Sequence, residues 1–295
     1  MNKPNDLNSW EDFEAVVRQS EIETEKLKES KPAHTTPLFY RGQANAEWSL
    51  KSTLERKVKK EIKVYSYFNL MVKVWNSLAI KDKQRWPVLE RQIKKLDVKD
   101  IHSFVKERAC EQIISFMAHL RHYGFPSPLL DWTEDSLIAA FFAFGDIPYN
   151  AEKVAIYTFR EHTGDVSGDL RWESSPTAIE VGDKIPGIER QQKQKSHYTL
   201  CIQQDNNTDF KNATFANMEK DINRPSISND SNGNDVELGP VENVTNKYTI
   251  PVSEKNKVLE KLQTININRC FLFQEETEDS QLFDYWNSIL ANEEI

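Results

Sequence analysis

The spacing of hydrophobic residues changes along the chain and separates a helical part from a strand-rich part. Between Leu54 and Leu96, and again from about Asp100 to His122, apolar side chains recur with a helical period among lysines, arginines and glutamates. Two helices are expected in the first stretch and one longer helix in the second. The pattern therefore predicts a largely helical insertion over about residues 54–122.

Short apolar runs bounded by polar or turn-forming residues flank and follow this helical part. They predict strands at Pro37–Tyr40, Leu129–Thr133, Val154–Phe159, Tyr198–Ile202 and Lys247–Val252. Residues Leu137–Phe144 are apolar on nearly every side, which predicts a buried helix. The expected fold class is α+β, with a mixed central sheet in a single domain that spans residues 1–295.

One segment lacks both kinds of pattern. Residues 221–240 are rich in asparagine, serine, aspartate and glycine and contain few apolar side chains. Such a composition cannot bury enough apolar surface to offset the entropy that ordering costs. A mobile loop is predicted here.

Charge and composition narrow the classes of function. The formal net charge of -8 argues against a nonspecific nucleic-acid binder, so nucleic acid is an improbable partner. The three cysteines are widely separated, and neither a zinc motif nor a disulfide framework is expected. The chain begins without the apolar run of a signal peptide and contains no membrane-length apolar segment. We therefore expect a cytoplasmic protein with no metal and no membrane partner.

Tyr40-Arg41-Gly42 is the first candidate binding motif. An arginine at a strand end next to a glycine offers a fixed guanidinium beside backbone that a ligand can approach closely, which suits a phosphate or carboxylate. Asp131, in the otherwise apolar run Leu129–Thr133, could instead be a structural partner of Arg41, because a buried carboxylate must be paired. Both alternatives remain open at this stage.

Two further groups of residues accompany this motif. His122-Tyr123-Gly124 ends the long predicted helix, where His122 is either a general acid or base or a capping histidine. Trp132, between Asp131 and Thr133, either stacks on a ligand or fills the core.

These motifs resemble the FRG-domain family. The resemblance rests on Tyr40-Arg41-Gly42 followed downstream by His122-Tyr123-Gly124 and Leu129-Leu130-Asp131-Trp132-Thr133. Two departures from the family pattern stand out: Arg121 occupies a position where the family usually has glutamine, and Ser127-Pro128 occupies one where it usually has threonine and arginine. The second departure removes one arginine that could contact an anion.

The order of these elements is also similar to the plan of ADP-ribosyltransferases. By that analogy Tyr40, Arg41 and Gly42, with Tyr123, Asp131 and Trp132, would bind NAD, and Thr133 would orient the nicotinamide ribose. Glu189 would supply the carboxylate that promotes transfer, and Gln194 could orient a ribose hydroxyl. His122 completes the candidate catalytic set.

The resemblance implies a binding pocket for a nucleotide or NAD-like small molecule and NAD-dependent transfer of ADP-ribose to an unknown macromolecular acceptor. The setting it implies is a bacterial or phage defence or toxin system. The competing hypothesis is a noncatalytic binding or interaction module, in which the same polar residues form a structural network.

Overall fold

The computed structural model describes most of the chain. The described residues are 5–30, 37–58, 60–78, 83–96, 104, 108–122, 124–160, 177–181, 192–204, 210–220, 226–229, 235–238 and 244–273.

A mixed sheet forms the centre of the protein. Its strands are β1 (Asn5–Asp6), β2 (Phe39–Gln43), β3 (Leu130–Thr133), β4 (Lys153–Arg160), β5 (Thr177–Glu180), β6 (Ser196–Gln203), β7 (Thr214–Phe215) and β10 (Val244–Pro251). They lie in the order β1-β10-β4-β2-β3-β6-β5, and β7 pairs with β6 beside β5. The β1–β10 pair is parallel and the other pairs are antiparallel. The predicted mixed sheet is thereby confirmed.

Helices pack against this sheet. Among the described residues they are α1 (Trp10–Ser30), α2 (Thr53–Lys57), α3 (Val64–Ser77), α4 (Leu89–Lys95), α5 (Arg108–His122), α6 (Ser136–Phe144), α7 (Lys255–Thr264) and α8 (Arg269–Leu272). Four of them, α2 to α5, lie between β2 and β3 in the sequence and form the predicted helical insertion. The stretch for which the sequence predicts two helices contains three, α2, α3 and α4, and α5 is the predicted longer helix. No helix in the described ranges is long and apolar enough to cross a membrane.

Two apolar clusters hold the helices in place. Leu54 of α2, Phe68 of α3 and Phe116 of α5 belong to one cluster, which reaches Leu200 of β6. The other cluster joins α1, α6 and α7 to β4 and β10. Each helix therefore buries the apolar stripe that its sequence predicts, and the helical insertion covers one end of the sheet.

The central strands begin and end close to their predicted positions, with one consequential difference. The sequence places Arg41 at a strand end, whereas β2 continues to Gln43, because Arg41, Gly42 and Gln43 pair with residues 155–157 of β4. Arg41 is therefore inside a strand, where hydrogen bonds to a neighbouring strand hold its backbone.

Part of the segment 221–240 has regular structure. Ser226–Asn229 (β8) and Asp235–Leu238 (β9) form an antiparallel pair, so these residues differ from the irregular loop that the sequence predicts. The connecting residues 230–234 lie outside the described part of the chain. A short strand pair needs few apolar side chains, and for that reason composition did not indicate it.

Candidate functional site

A cleft opens where two central strands separate. β2 and β3 share a single register pair, Tyr40 with Thr133, although β2 pairs with β4 along its whole length. The divergence leaves a cleft of about 970 Å³, lined by β2, the loop that follows it, α2, the end of α5, β3 and the start of β6. A volume of this size is sufficient for a dinucleotide.

Arg41 lies at the point of divergence and links the two strands. Its Nη1 donates a hydrogen bond of 2.7 Å to the backbone carbonyl of Asp131 and lies 3.9 Å from the Asp131 carboxylate. Its Nε is buried and has no hydrogen-bond partner among the described residues. Arg41 therefore has a structural role, and its unpartnered Nε is not exposed to the cleft.

Arg121, at the last turn of α5, is the principal partner of Asp131. Its Nε and Nη2 donate to the two carboxylate oxygens, and its Nη1 donates to the Thr53 hydroxyl at 3.1 Å. The Asp131 side chain is 41% exposed, whereas that of Arg121 is only 12% exposed. The predicted pair of Arg41 and Asp131 is therefore present, and Arg121 makes a closer, bidentate contact that the sequence did not indicate.

Two guanidinium groups, those of Arg41 and Arg121, contact Asp131, and a third, that of Arg56, lines the same cleft. Arg56, in α2, lines the same cleft and donates to the backbone carbonyl of Lys51 at 2.8 Å. Burial lowers the pKa of Arg41 to about 10; Asp131 opposes this effect, whereas the positive charges of Arg121 and Arg56 add to it. Arg41 still stays protonated at neutral pH. This end of the cleft therefore has an uncompensated positive charge.

The charges also act on the carboxyl group. Burial would raise the pKa of Asp131, but the charge and hydrogen bonds of Arg121, with the charge of Arg41, outweigh it and hold the pKa below its ordinary value of 3.8. Since folding favours the ionised form, its stabilisation is complete well above that value and is lost as the pH falls below it.

This shift gives a testable pH dependence. Asp131→Asn should lower the free energy of unfolding by about 1–2 kcal/mol at pH 7, less than for a fully buried partner because the side chain is partly exposed. Urea denaturation measures the difference in free energy of unfolding between wild type and Asp131→Asn from pH 7 to pH 3. This difference should be constant down to about pH 5 and should shrink below pH 3.8. Glu260→Gln, at an exposed position of α7, is the charge-matched control. A difference that persists unchanged at pH 3 would contradict the assignment.

His122 and Thr133 both line the cleft but have structural partners as well. The Nε2 atom of His122 lies 3.1 Å from the Tyr198 hydroxyl. The Thr133 hydroxyl accepts a hydrogen bond from the backbone N–H of Asp135 at 3.1 Å, and Asp135 caps α6. The Thr133 hydroxyl keeps its own proton free to donate to a ligand.

Gln194 and Trp132 are both buried. The Gln194 side-chain amide donates to the Leu272 carbonyl at 3.1 Å, and this residue also lines the cleft. The indole N–H of Trp132 donates to Thr199 at 2.8 Å, and its ring packs against Phe159. Trp132 is 2% exposed, so it acts chiefly as a core residue.

Gly42 permits a close approach, but by a helix. A Cβ at this position would lie 1.9 Å from the backbone oxygen of Ala139 and 2.6 Å from the backbone nitrogen of Ala143, both in α6. The absence of a side chain thus allows α6 to pack directly on β2. The sequence analysis correctly inferred that Gly42 allows a close approach to the backbone. The group that approaches it is α6, whereas the sequence analysis expected a ligand.

Tyr40 completes the motif. It lines the cleft and is 5% exposed, and burial, with the charge of Glu21, raises the pKa of its hydroxyl to about 12. Tyr123 and Glu189 lie outside the described residues, so their predicted roles stay predictions. Across the described ranges no group of histidine, cysteine, aspartate and glutamate side chains is arranged to hold a metal ion.

Several lining residues escaped sequence reasoning as parts of this site, among them Arg121, Arg56 and Trp48. Arg121 was noted only as a departure from the usual family pattern, and the run Arg56-Lys57-Val58-Lys59-Lys60 was read as a solvated helix face, with contact to nucleic acid as the alternative. Trp48 is 49% exposed at the cleft. Half-exposed tryptophans are uncommon, but exposure becomes visible only in the folded chain.

Comparisons with known proteins agree with the motifs. The family model described as the FRG domain matches residues 36–152, which contain β2, the helical insertion, β3 and α6. Neither the curated proteins nor the solved structures gave a significant match. The matched region supplies most of the cleft wall, while Gln194, Ser196 and Tyr198 come from beyond it.

Proposed function

Because the chain contains an FRG domain, and because that domain forms most of a basic cleft, we propose that the protein binds a phosphate-bearing nucleotide such as NAD. The observation that carries the proposal is the set of three guanidiniums, Arg41, Arg56 and Arg121, that line the cleft together with Lys51, against the lining carboxylates of Glu47, Asp131 and Asp146. Gathering like charges in a partly buried site is unfavourable unless an anion joins them.

The geometry favours a phosphate over a simple monovalent anion. Arg121 is already committed to Asp131, whereas Arg41 and Arg56 each donate one hydrogen bond within the described ranges, to a backbone carbonyl, and a guanidinium has five donors. Two guanidiniums with free donors can each contact a different oxygen of a diphosphate. Lys51 lines the same end of the cleft and adds a further positive charge.

The binding test compares ligands and variants. Calorimetry with NAD and ADP-ribose should show binding, whereas adenosine, which lacks phosphate, should bind far more weakly. Arg56→Gln should weaken NAD binding on the order of tenfold, because one charge-assisted contact is lost. Arg91→Gln, at an exposed position of α4, is the matched control. Equal binding by wild type and Arg56→Gln, or no binding by wild type, would refute the proposal.

The finer proposal is that bound NAD donates ADP-ribose. The bond between ribose C1′ and the nicotinamide nitrogen breaks, its electron pair leaves with nicotinamide, and an acceptor nucleophile bonds to C1′ and releases a proton. Thr133 and Gln194 lie on the same cleft wall as Arg41 and can position the ribose. The carboxylate that stabilises the oxocarbenium-like state is assigned by sequence to Glu189.

Transfer and binding can be separated by experiment. Incubation of the protein with labelled NAD and a cell lysate should label an acceptor, and Glu189→Gln should abolish labelling while leaving NAD affinity within about twofold. Arg41→Ala, with its fold verified by circular dichroism, should lose both. NAD binding without transfer or hydrolysis would favour the noncatalytic module.

A defence or toxin role predicts that expression of wild type slows growth and that expression of Glu189→Gln does not.

A further inference from the structure

The charge of this acidic protein is distributed unevenly, and one basic segment begins at the cleft. Residues 51–63 contain six lysines and arginines but two glutamates, in a chain whose net charge is -8. Of the cations described in this segment, Lys51, Arg56, Lys57, Lys60 and Lys63 are all exposed. One of the two glutamates, Glu55, accepts a hydrogen bond from the Ser52 backbone N–H in the capping box of α2.

These cations lack the ion pairs that lysines form elsewhere. Lys94 pairs with Glu90, Lys257 with Glu11 and Lys195 with Asp135. By contrast, within the described ranges none of the five exposed cations of 51–63 lies within 4.0 Å of a carboxylate; Lys63, for example, donates to the Asn212 side-chain oxygen at 3.3 Å. An array of unneutralised cations on an acidic protein is suited to an extended polyanion.

An aromatic side chain stands where this segment meets the cleft. Trp48 is 49% exposed, on a loop that is held by several hydrogen bonds. Ala46 donates to the Lys153 carbonyl at 2.8 Å, and the Gln43 side chain donates to the Ser49 carbonyl at 3.2 Å. A rigidly held, exposed indole beside a basic surface is the combination with which proteins stack the bases of single strands.

We propose that a single-stranded nucleic acid binds along residues 51–63, with one base stacked on Trp48 and the adjoining phosphate at Arg56. This inference rests on the proposed nucleotide site, because Trp48 and Arg56 line that cleft. The inference goes beyond that site at Lys57 and Lys60, which extend the contact with the strand outside the cleft. In the transferase proposal, such a strand is the macromolecule brought to bound NAD.

The structure also favours a single strand over a duplex. Stacking on Trp48 requires a base whose face is free, which a paired and stacked duplex does not offer. The exposed cations belong to one short segment that includes the helix α2, so several of them can contact phosphates of a single backbone. The net charge of -8 opposes general adhesion to duplex, so binding should depend on this local surface.

The experiment measures fluorescence anisotropy of labelled single-stranded and duplex oligonucleotides of mixed sequence, titrated with the full chain at several salt concentrations. Wild type should bind the single strand more tightly than the duplex. Lys57→Glu with Lys60→Glu should weaken single-strand binding on the order of tenfold and flatten its salt dependence. Trp48→Ala should weaken it by a similar factor at every salt concentration, because stacking is not screened.

Controls separate this inference from the nucleotide site. Lys26→Glu with Lys95→Glu, at exposed positions of α1 and α4, changes the net charge equally and should leave oligonucleotide binding unchanged. The Lys57 and Lys60 double variant should bind NAD as wild type does. Three outcomes would overturn the inference while the nucleotide proposal stands. Wild type could bind NAD but no oligonucleotide, both double variants could weaken oligonucleotide binding equally, or the duplex could bind as tightly as the single strand.

Discussion

Gly42→Ala is expected to destabilise the protein by more than about 3 kcal/mol. The added Cβ would lie 1.9 Å from the Ala139 carbonyl oxygen and 2.6 Å from the Ala143 nitrogen, both backbone atoms of α6. Backbone atoms cannot rotate away as side chains do, so α6 must shift off β2. Because Asp135 at the start of α6 bonds to Thr133, the shift should also disturb the cleft. Urea denaturation followed by circular dichroism measures the loss.

Gly145→Ala is the control for this experiment. At Gly145, which follows α6, the new Cβ would lie 2.9 Å from a single carbonyl oxygen, that of Phe141, and the backbone is already helical. A small shift at the helix end relieves that contact, so we expect a change of no more than about 1 kcal/mol. If Gly42→Ala were as stable as Gly145→Ala, the direct packing of α6 on β2 would be disproved.

Arg121→Ala should lower the free energy of unfolding by about 2–3 kcal/mol, because it leaves the Asp131 carboxylate without its bidentate partner. The value is below that for a fully buried pair, since the Asp131 side chain is 41% exposed. The bond that ties α5 to Thr53 of α2 is lost as well. Arg121→Gln, which introduces the residue that the family usually has here, should lose less because an amide can still donate to Asp131.

A double-mutant cycle isolates the pair. Arg121→Ala with Asp131→Asn should be more stable than the sum of the two single changes predicts, by about 1–2 kcal/mol, because the double variant holds no unpaired carboxylate. Arg91→Ala, in α4, controls for the loss of one exposed positive charge. Strict additivity would mean that Arg121 and Asp131 do not form the pair in solution.

The sequence indicated which motifs form the site. It was less successful in indicating which side chains contact each other there. Tyr40, Arg41, His122, Asp131, Thr133 and Gln194 all line one cleft, as expected of residues that serve one site. The pair of Arg41 and Asp131 was predicted, but the closer partner Arg121 was missed, because the two arginines offer the same chemistry and only geometry distinguishes them. Arg56 and Trp48 escaped because charged helices and tryptophans are common in folded chains.

Local patterning by itself determined the strands and helices around the cleft, because the period of apolar residues reports which face of each element is buried. It also determined that a charge at Asp131, inside an apolar strand, needs a partner. Only the tertiary structure decided that β2 and β3 separate after one register pair, since strand divergence depends on what packs on either side. The cleft at that separation is lined by Arg41, Arg56 and Arg121, which belong to different elements, and two of them contact Asp131.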